Sequence, residues 1–225
     1  MVRFLHEILE HLPEWGPQLL LAALQTLKMT AMTFIVAVLI GIVAALLRLS
    51  HLGPLRWVIT GFVEVGRGMP ALVILFLIYF GLPSIFSRLE FDSFTAAVLG
   101  LGLQGGAILS EVFRAGIEAL DRGQREAGIS LGLTPSQTMV DVIAPQAIRV
   151  VLPPVGNYAI GLLKDTAIAS IIAAPELMLR AKDLASSSFL PMHLYVLAAL
   201  LYFAMSYPLS LAVRGLELKL ARGRH

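Results

Sequence analysis

Five stretches of about twenty or more mostly apolar residues run through this chain, each long enough to cross roughly 30 Å of hydrocarbon as a helix. They fall at residues 19–47, 58–80, 94–119, 147–172 and 192–213. In lipid every backbone N–H and C=O must find a partner within the chain, so such spans are helices. Composition leaves little room for another reading. Of 225 residues, 57% are hydrophobic and 14% charged, against about 25% charged in a soluble domain, and mean hydropathy is +0.82. The sequence predicts an all-α, polytopic membrane protein with about five transmembrane helices in one domain. Residues 1–18 form an N-terminal segment, 19–218 the membrane domain, and 219–225 a basic tail.

The N-terminal segment does not read as a cleavable signal, because Arg3 is followed by His6, Glu7, Glu10, His11 and Glu14. Phe4, Leu5, Ile8, Leu9 and Leu12 share one side at helical spacing. The segment therefore either lies in the membrane interface or frays. There is no cysteine, which excludes disulfides, thiolate metal sites and a cysteine nucleophile. With the N-terminus outside, the inner segments hold ten basic residues: Arg48, Arg56, Arg114, Arg122, Arg125, Arg149, Arg214, Lys219, Arg222 and Arg224. The outer ones hold Arg3, Arg88, Arg180 and Lys182. The positive-inside rule thus predicts N-terminus out and C-terminus in, in an inner (plasma) membrane.

The segment from Asp121 to Pro145 is polar yet patterned. Gln124 to Leu131 makes about two helical turns, and Gly132 suits the left-handed position that ends a helix. Thr134 is an N-cap, Pro135 fits the first helical position, and Gln137 completes a capping box. Met139, Val140, Val142 and Ile143 give the second short helix an apolar side, and Pro145 is expected to end it. Such a unit either lies on the bilayer as a connector or packs against the rest of the chain or a partner.

The residues of this loop resemble a known family. Glu126-Ala127-Gly128, three residues, then Gly132-Leu133-Thr134-Pro135, followed by Ile143-Ala144-Pro145, is similar to the EAA loop of ABC importer permeases. Glu64-Val65-Gly66-Arg67-Gly68-Met69-Pro70 resembles the E-x-x-R-G-T-P segment of the polar amino acid permeases (the histidine, glutamine and arginine type), and Glu111-Val112-Phe113-Arg114-Ala115-Gly116-Ile117 resembles their E-I-F-R-G-G-I segment. The runs 152–157, 162–166 and 174–177 follow in the same order. The chain departs from the pattern at Gly128 (usually alanine), Met69 (usually threonine) and Ala144 (usually leucine). The resemblance implies a type I ABC importer permease fold. It also implies a second permease chain, the same or different, a cytoplasmic ATPase dimer docked on the loop, and a periplasmic or lipid-anchored binding protein. Residues 126–128 and 132–135 would then couple the chain to the ATPase. No G-x-x-x-x-G-K-[ST] segment is present, so ATP and Mg²⁺ would be held by the partner and this chain would carry no cofactor and no catalytic residue.

Charges within the spans are costly, at least about 2.5 kcal/mol each on insertion scales. Glu64 and Arg67, three apart, can pair on one face, and Gly68 and Pro70 distort the backbone beyond them. Lys164 and Asp165 fall late in the fourth span, after a break expected at Pro153-Pro154. Gln104 precedes Gly105-Gly106 in the third. These five polar residues either line the substrate pathway or brace the helices. His51 and His193 lack a second ligand at metal spacing. A membrane enzyme would cluster histidines and carboxylates near one interface, and a self-contained secondary transporter would show paired repeats and more spans. The basic tail suits lipid headgroups and needs no nucleic acid.

Overall fold

The computed structural model describes residues 2–49, 53–86 and 88–222, and these fold into eight helices with no strand among them. They are α1 (Val2–Leu49), α2 (Gly53–Gly68), α3 (Ala71–Ile85), α4 (Ser93–Glu118), α5 (Arg122–Ser130), α6 (Pro135–Ile172), α7 (Leu177–Ser188) and α8 (Pro191–Arg222). Four of them, α1, α4, α6 and α8, are each long and apolar enough to cross a membrane. The α2–α3 pair, bent by 112°, passes the same test when taken as one broken span, which brings the number to five.

α4 is the central helix, and its glycines explain why. A Cβ at Gly102 would come within 2.6 Å of Val36, one at Gly105 within 2.8 Å of Ala37, and one at Gly106 within 2.4 Å of Ile40. Small residues let helix backbones approach where no hydrophobic effect drives them together, so this stripe seats α1 directly on α4. Tyr158 of α6 closes the other side, its hydroxyl 2.0 Å from where a Gly105 Cβ would stand. Around this contact lies one core, with Met29, Leu75, Ala97, Leu101, Leu162 and Ile172. Asp92 caps α4, accepting from the Thr95 hydroxyl at 2.6 Å and its N–H at 3.1 Å. Those two bonds hold the Asp92 carboxyl below its usual range.

Several boundaries differ from the sequence reading. Residues 2–18 are no separate segment: α1 runs unbroken through Pro13 and Pro17 to Leu49. The cause is a second core, in which Trp15, Leu19 and Ala23 pack on Leu177, Leu184 and Leu194 of α7 and α8. His193 anchors the same end, stacked on Phe4 at 4.1 Å and 3.0 Å from a Glu7 oxygen. Pro153 and Pro154 do not break the fourth span, since the helix passes through both. Nor does Pro145 end the loop helix. Residues 138–143 widen into a π turn, and the helix continues into the span. Proline removes a donor and crowds the carbonyl four residues earlier, and a π turn is one way to absorb that. The Val142 carbonyl in this turn also accepts from the Gln146 side chain at 2.9 Å. At the C-terminus α8 extends to Arg222, so the expected tail at 219–225 begins as helix. His51 and residues 223–225, with Arg224, lie outside the described residues.

Candidate functional site

The loop between α4 and α6 is a rigid two-helix unit. Asp121 starts α5 by accepting from the Gly123 N–H at 2.8 Å. At its end Leu133 N–H donates to the Gly128 carbonyl (3.1 Å) and Gly132 N–H to that of Ile129 (2.9 Å). This is a Schellman closure, and Gly132 takes φ +83° to make it. Thr134 then begins α6. Its hydroxyl accepts from Gln137 N–H at 3.3 Å, and its own N–H donates to the Gln137 side chain at 2.9 Å. Pro135 takes the first turn.

Gly128 is the only fully buried residue of α5. It faces Thr138, where a Cβ would meet the Thr138 methyl at 2.7 Å and its hydroxyl at 3.0 Å. The glycine therefore buys close approach between α5 and the π turn of α6, a packing role that its low helix propensity did not announce. Gln124 and Gln146 bridge the same two helices at 3.0 Å. Of the apolar side expected on the second helix, Ile143 is buried while Val140 is 65% exposed. Leu131 is 83% and Ile129 52% exposed, and Glu126 and Ala127 are exposed beside them. This surface has no cover within the described chain.

Glu64 and Arg67 stand at the limit of an ion pair, 4.0 Å apart and both substantially exposed. Arg67 lies nearer Glu111, at 3.7 Å. Glu111 is the hub that the sequence reading did not single out. It accepts from Arg48 of α1 and, through its other oxygen, from Arg114 Nε (3.0 Å) and Nη2 (2.7 Å). Arg114 also pairs with Glu118. One carboxylate thus ties α1, α2 and α4 at the end of the bundle next to the loop. The signal was available: Glu111 is an acid deep in an apolar run, which on insertion cost alone needs a partner. Its partners, 63 residues away in α1 and in α2, were not legible.

Gln104 does more than pack. Its side chain donates to the Met69 carbonyl at 3.0 Å, satisfying backbone freed where the chain bends at Gly68–Pro70. The structure so brings Gln104 to the break that follows Glu64 and Arg67. Lys164 and Asp165 lie elsewhere, exposed at the end of the α-helical part of α6.

At the opposite end a second acid was missed. Glu176 is 2% exposed. It caps α7 by accepting from Met178 N–H at 2.8 Å and Leu179 N–H at 2.5 Å, and it also accepts from the Tyr202 hydroxyl at 2.6 Å. The Leu177 N–H donates to Thr26 of α1 at 2.9 Å. Burial pushes the Glu176 carboxyl up, outweighing these donors.

Four long apolar helices, a sharply bent helix pair, an ion-paired end and a two-helix loop define a polytopic membrane protein. Residues 37–222 match the family described as binding-protein-dependent transport system inner membrane component, and the chain belongs to it. It is 38% identical over 183 residues to a probable glutamine ABC transporter permease protein, GlnM, of Bacillus subtilis (strain 168), covering 81% of this chain and 84% of that one. It is 37% identical to the L-cystine transport system permease protein TcyB of the same organism, over 88% of this chain and 84% of the relative. A crystal structure of an amino acid ABC transporter with histidines superposes with a TM-score of 0.87 at 36% identity, covering 92% of this chain and 96% of that one. The chain is accordingly a multi-pass permease subunit of an ABC importer with the type I fold, and not an enzyme.

Proposed function

We propose that this chain, paired with a second permease chain, forms the pathway by which a polar amino acid or a close relative enters the cell. A binding protein delivers the solute from outside, and a separate ATPase dimer, which holds ATP and Mg²⁺, docks on the loop at residues 121–145. The glutamine and cystine permeases among its relatives support the substrate class. The observation that carries the coupling role is the pre-formed but uncovered loop surface. Its conformation is held by the Gly132 closure, the Thr134 box and the Gly128–Thr138 contact, while Glu126, Ile129 and Leu131 point outward. Ordering a loop costs about 1–2 kcal/mol per residue, and here that cost is met before any partner arrives.

In this reading the ten-to-four basic asymmetry places the loop in the cytoplasm. Leu49, at the end of α1, lines one cleft with Arg122 and Arg125 and with Glu118, Asp121 and Glu126, so the end of α1 and the loop lie on the same side of the bundle. Gln104, Glu64 and Arg67 sit at the bent span and Lys164 and Asp165 at the far part of α6, where each is positioned to meet a pathway formed with the second chain. The test is co-purification of the ATPase with the permease, together with substrate-stimulated hydrolysis. Gly132→Val and Glu126→Lys should each weaken both while the spans still insert. Wild-type levels of both in the two variants would refute the coupling role.

A further inference from the structure

Two neighbouring features between α1 and α2 are unused by the transport reading. The first is a cavity of about 340 Å³ at the ion-paired end, lined by Arg48, Leu49, Arg56, Thr60, Arg114 and Glu118. Glu111 and Glu118 engage Arg48 and Arg114. Arg56 has no ion-pair partner among the described residues, so one guanidinium charge is left over beside a hydroxyl. The second is an open groove of about 290 Å³, almost wholly apolar, lined by Leu39, Val43, Leu47, Ile59 and Phe62 among others. The two adjoin in sequence on both helices: Leu47 precedes Arg48, and Ile59 precedes Thr60. Trp57, next to Arg56, is 80% exposed. Exposed tryptophan beside arginine at a helix start is the pattern of an interface anchor at headgroup depth.

We infer that this is a binding site for an anionic glycerophospholipid, with the phosphate on Arg56, Arg48 and Thr60 and an acyl chain in the Leu39–Phe62 groove. The chemistry selects the ligand. Guanidinium groups bind phosphate through paired N–H donors. A single surplus positive charge suits a headgroup carrying one net negative charge, and it gives a zwitterionic headgroup no advantage. The apolar groove has no use for a soluble anion. Arg48 and Arg114 also belong to the Glu111 hub, so a lipid here would bear on the same three helices.

The probe is Trp57 itself. The chain has two tryptophans, and Trp15→Phe leaves Trp57 alone. The full chain is placed in phosphatidylcholine bilayers, and brominated phosphatidylglycerol or brominated phosphatidylcholine is added at equal mole fraction. Brominated phosphatidylglycerol should quench Trp57 as though enriched about fivefold or more, the factor expected from one basic residue at an anionic surface. Arg56→Gln should abolish most of that enrichment, whereas Arg214→Gln, outside the cavity, should leave it. Native mass spectrometry of the unaltered chain with equal amounts of the two lipids should retain phosphatidylglycerol preferentially, a check that needs no tryptophan change. Equal quenching by both lipids would overturn the proposal, as would enrichment that survives Arg56→Gln or falls equally with Arg214→Gln. Displacement of the brominated lipid by millimolar inorganic phosphate would instead show a soluble-anion site and overturn it too.

Discussion

Replacing Gly128 by alanine puts two opposing effects in one position, and the structure says which wins. Alanine is about 1 kcal/mol better than glycine in a helix interior, so on propensity alone the change should stiffen α5. The new Cβ, however, would stand 2.7 Å from the Thr138 methyl and 3.0 Å from its hydroxyl. Thr138 is 1% exposed and sits in the π turn. Overpacking of this kind costs about 1–3 kcal/mol. The net expectation is a loosening of α5 from α6 by up to about 2 kcal/mol, or as much as thirtyfold in the opening equilibrium. The second substitution makes the argument sharp. Thr138→Ala removes both clashing atoms, and the Thr138 hydroxyl is buried with no hydrogen-bond partner, so little is lost with it. The double variant Gly128→Ala/Thr138→Ala should therefore be at least as tight as the wild type. Amide hydrogen exchange across residues 122–130 measures the opening directly. Exchange in Gly128→Ala no faster than in the wild type would refute the reasoning. So would fast exchange that Thr138→Ala fails to reverse, since the contact would then not be the cause.

Other outcomes follow from the buried charges. Glu111→Gln strands Arg48 and leaves Arg114 with Glu118 alone, and it should cost about 3 kcal/mol, seen as a lowered unfolding temperature in detergent. Glu64→Ala should cost under about 1 kcal/mol, because its pair with Arg67 is long and exposed; a double-mutant cycle should couple Arg67 to Glu111 more strongly than to Glu64. Gln104→Leu leaves the Met69 carbonyl without its donor and should cost about 1–3 kcal/mol, again read from thermal unfolding. For Glu176 the folded-state carboxyl titrates above its ordinary 4.5. Its protonated form is thus favoured by folding, and that stability is full below pH 4.5 and lost as pH rises through the folded value. Relative to Glu176→Gln, the wild type should lose stability as pH is raised from 4.5 toward neutrality, and a rise over that range would show the carboxylate, not the acid, to be the favoured form.

What the sequence disclosed and what it hid divide along a physical line. Features set within a few residues were legible: the helical spans, the Gly132 turn, the Thr134 capping box and the bend at Gly68–Pro70 all depend on local sterics and local hydrogen bonds. Proline misled where it was read as a breaker. Pro145, Pro153 and Pro154 all sit inside α6, because a long apolar helix can absorb a missing N–H through a π turn or a side-chain donor. Hidden altogether were relations between distant residues. Trp15 belongs to a stretch that reads as an interfacial or frayed terminus, whereas it packs on Leu184 and Leu194, more than 160 residues on. Glu111 and Glu176 looked like members of recurring segments, and their partners Arg48 and Tyr202 come from elements no spacing connects.

The parts that bear on transport are joined by α4. Its middle holds Gln104 against the bent span, its last three turns hold Glu111 and Arg114, and only residues 119–121 separate its end from α5. α5 in turn is seated on α6 by Gly128 and Thr138, and α6 returns into the membrane past Tyr158, which touches α4 again at Gly105. The loop therefore hangs between two spans that already pack on each other. A partner that shifts α5 as a body must move the ends of both α4 and α6, since neither connection contains a free linker. Whether such a shift opens the bent span depends on how tightly the Glu111 hub grips α1 and α2. That places the Arg48–Glu111–Arg67 contacts, rather than the Glu64–Arg67 pair, between the α5 loop and the Met69 bend.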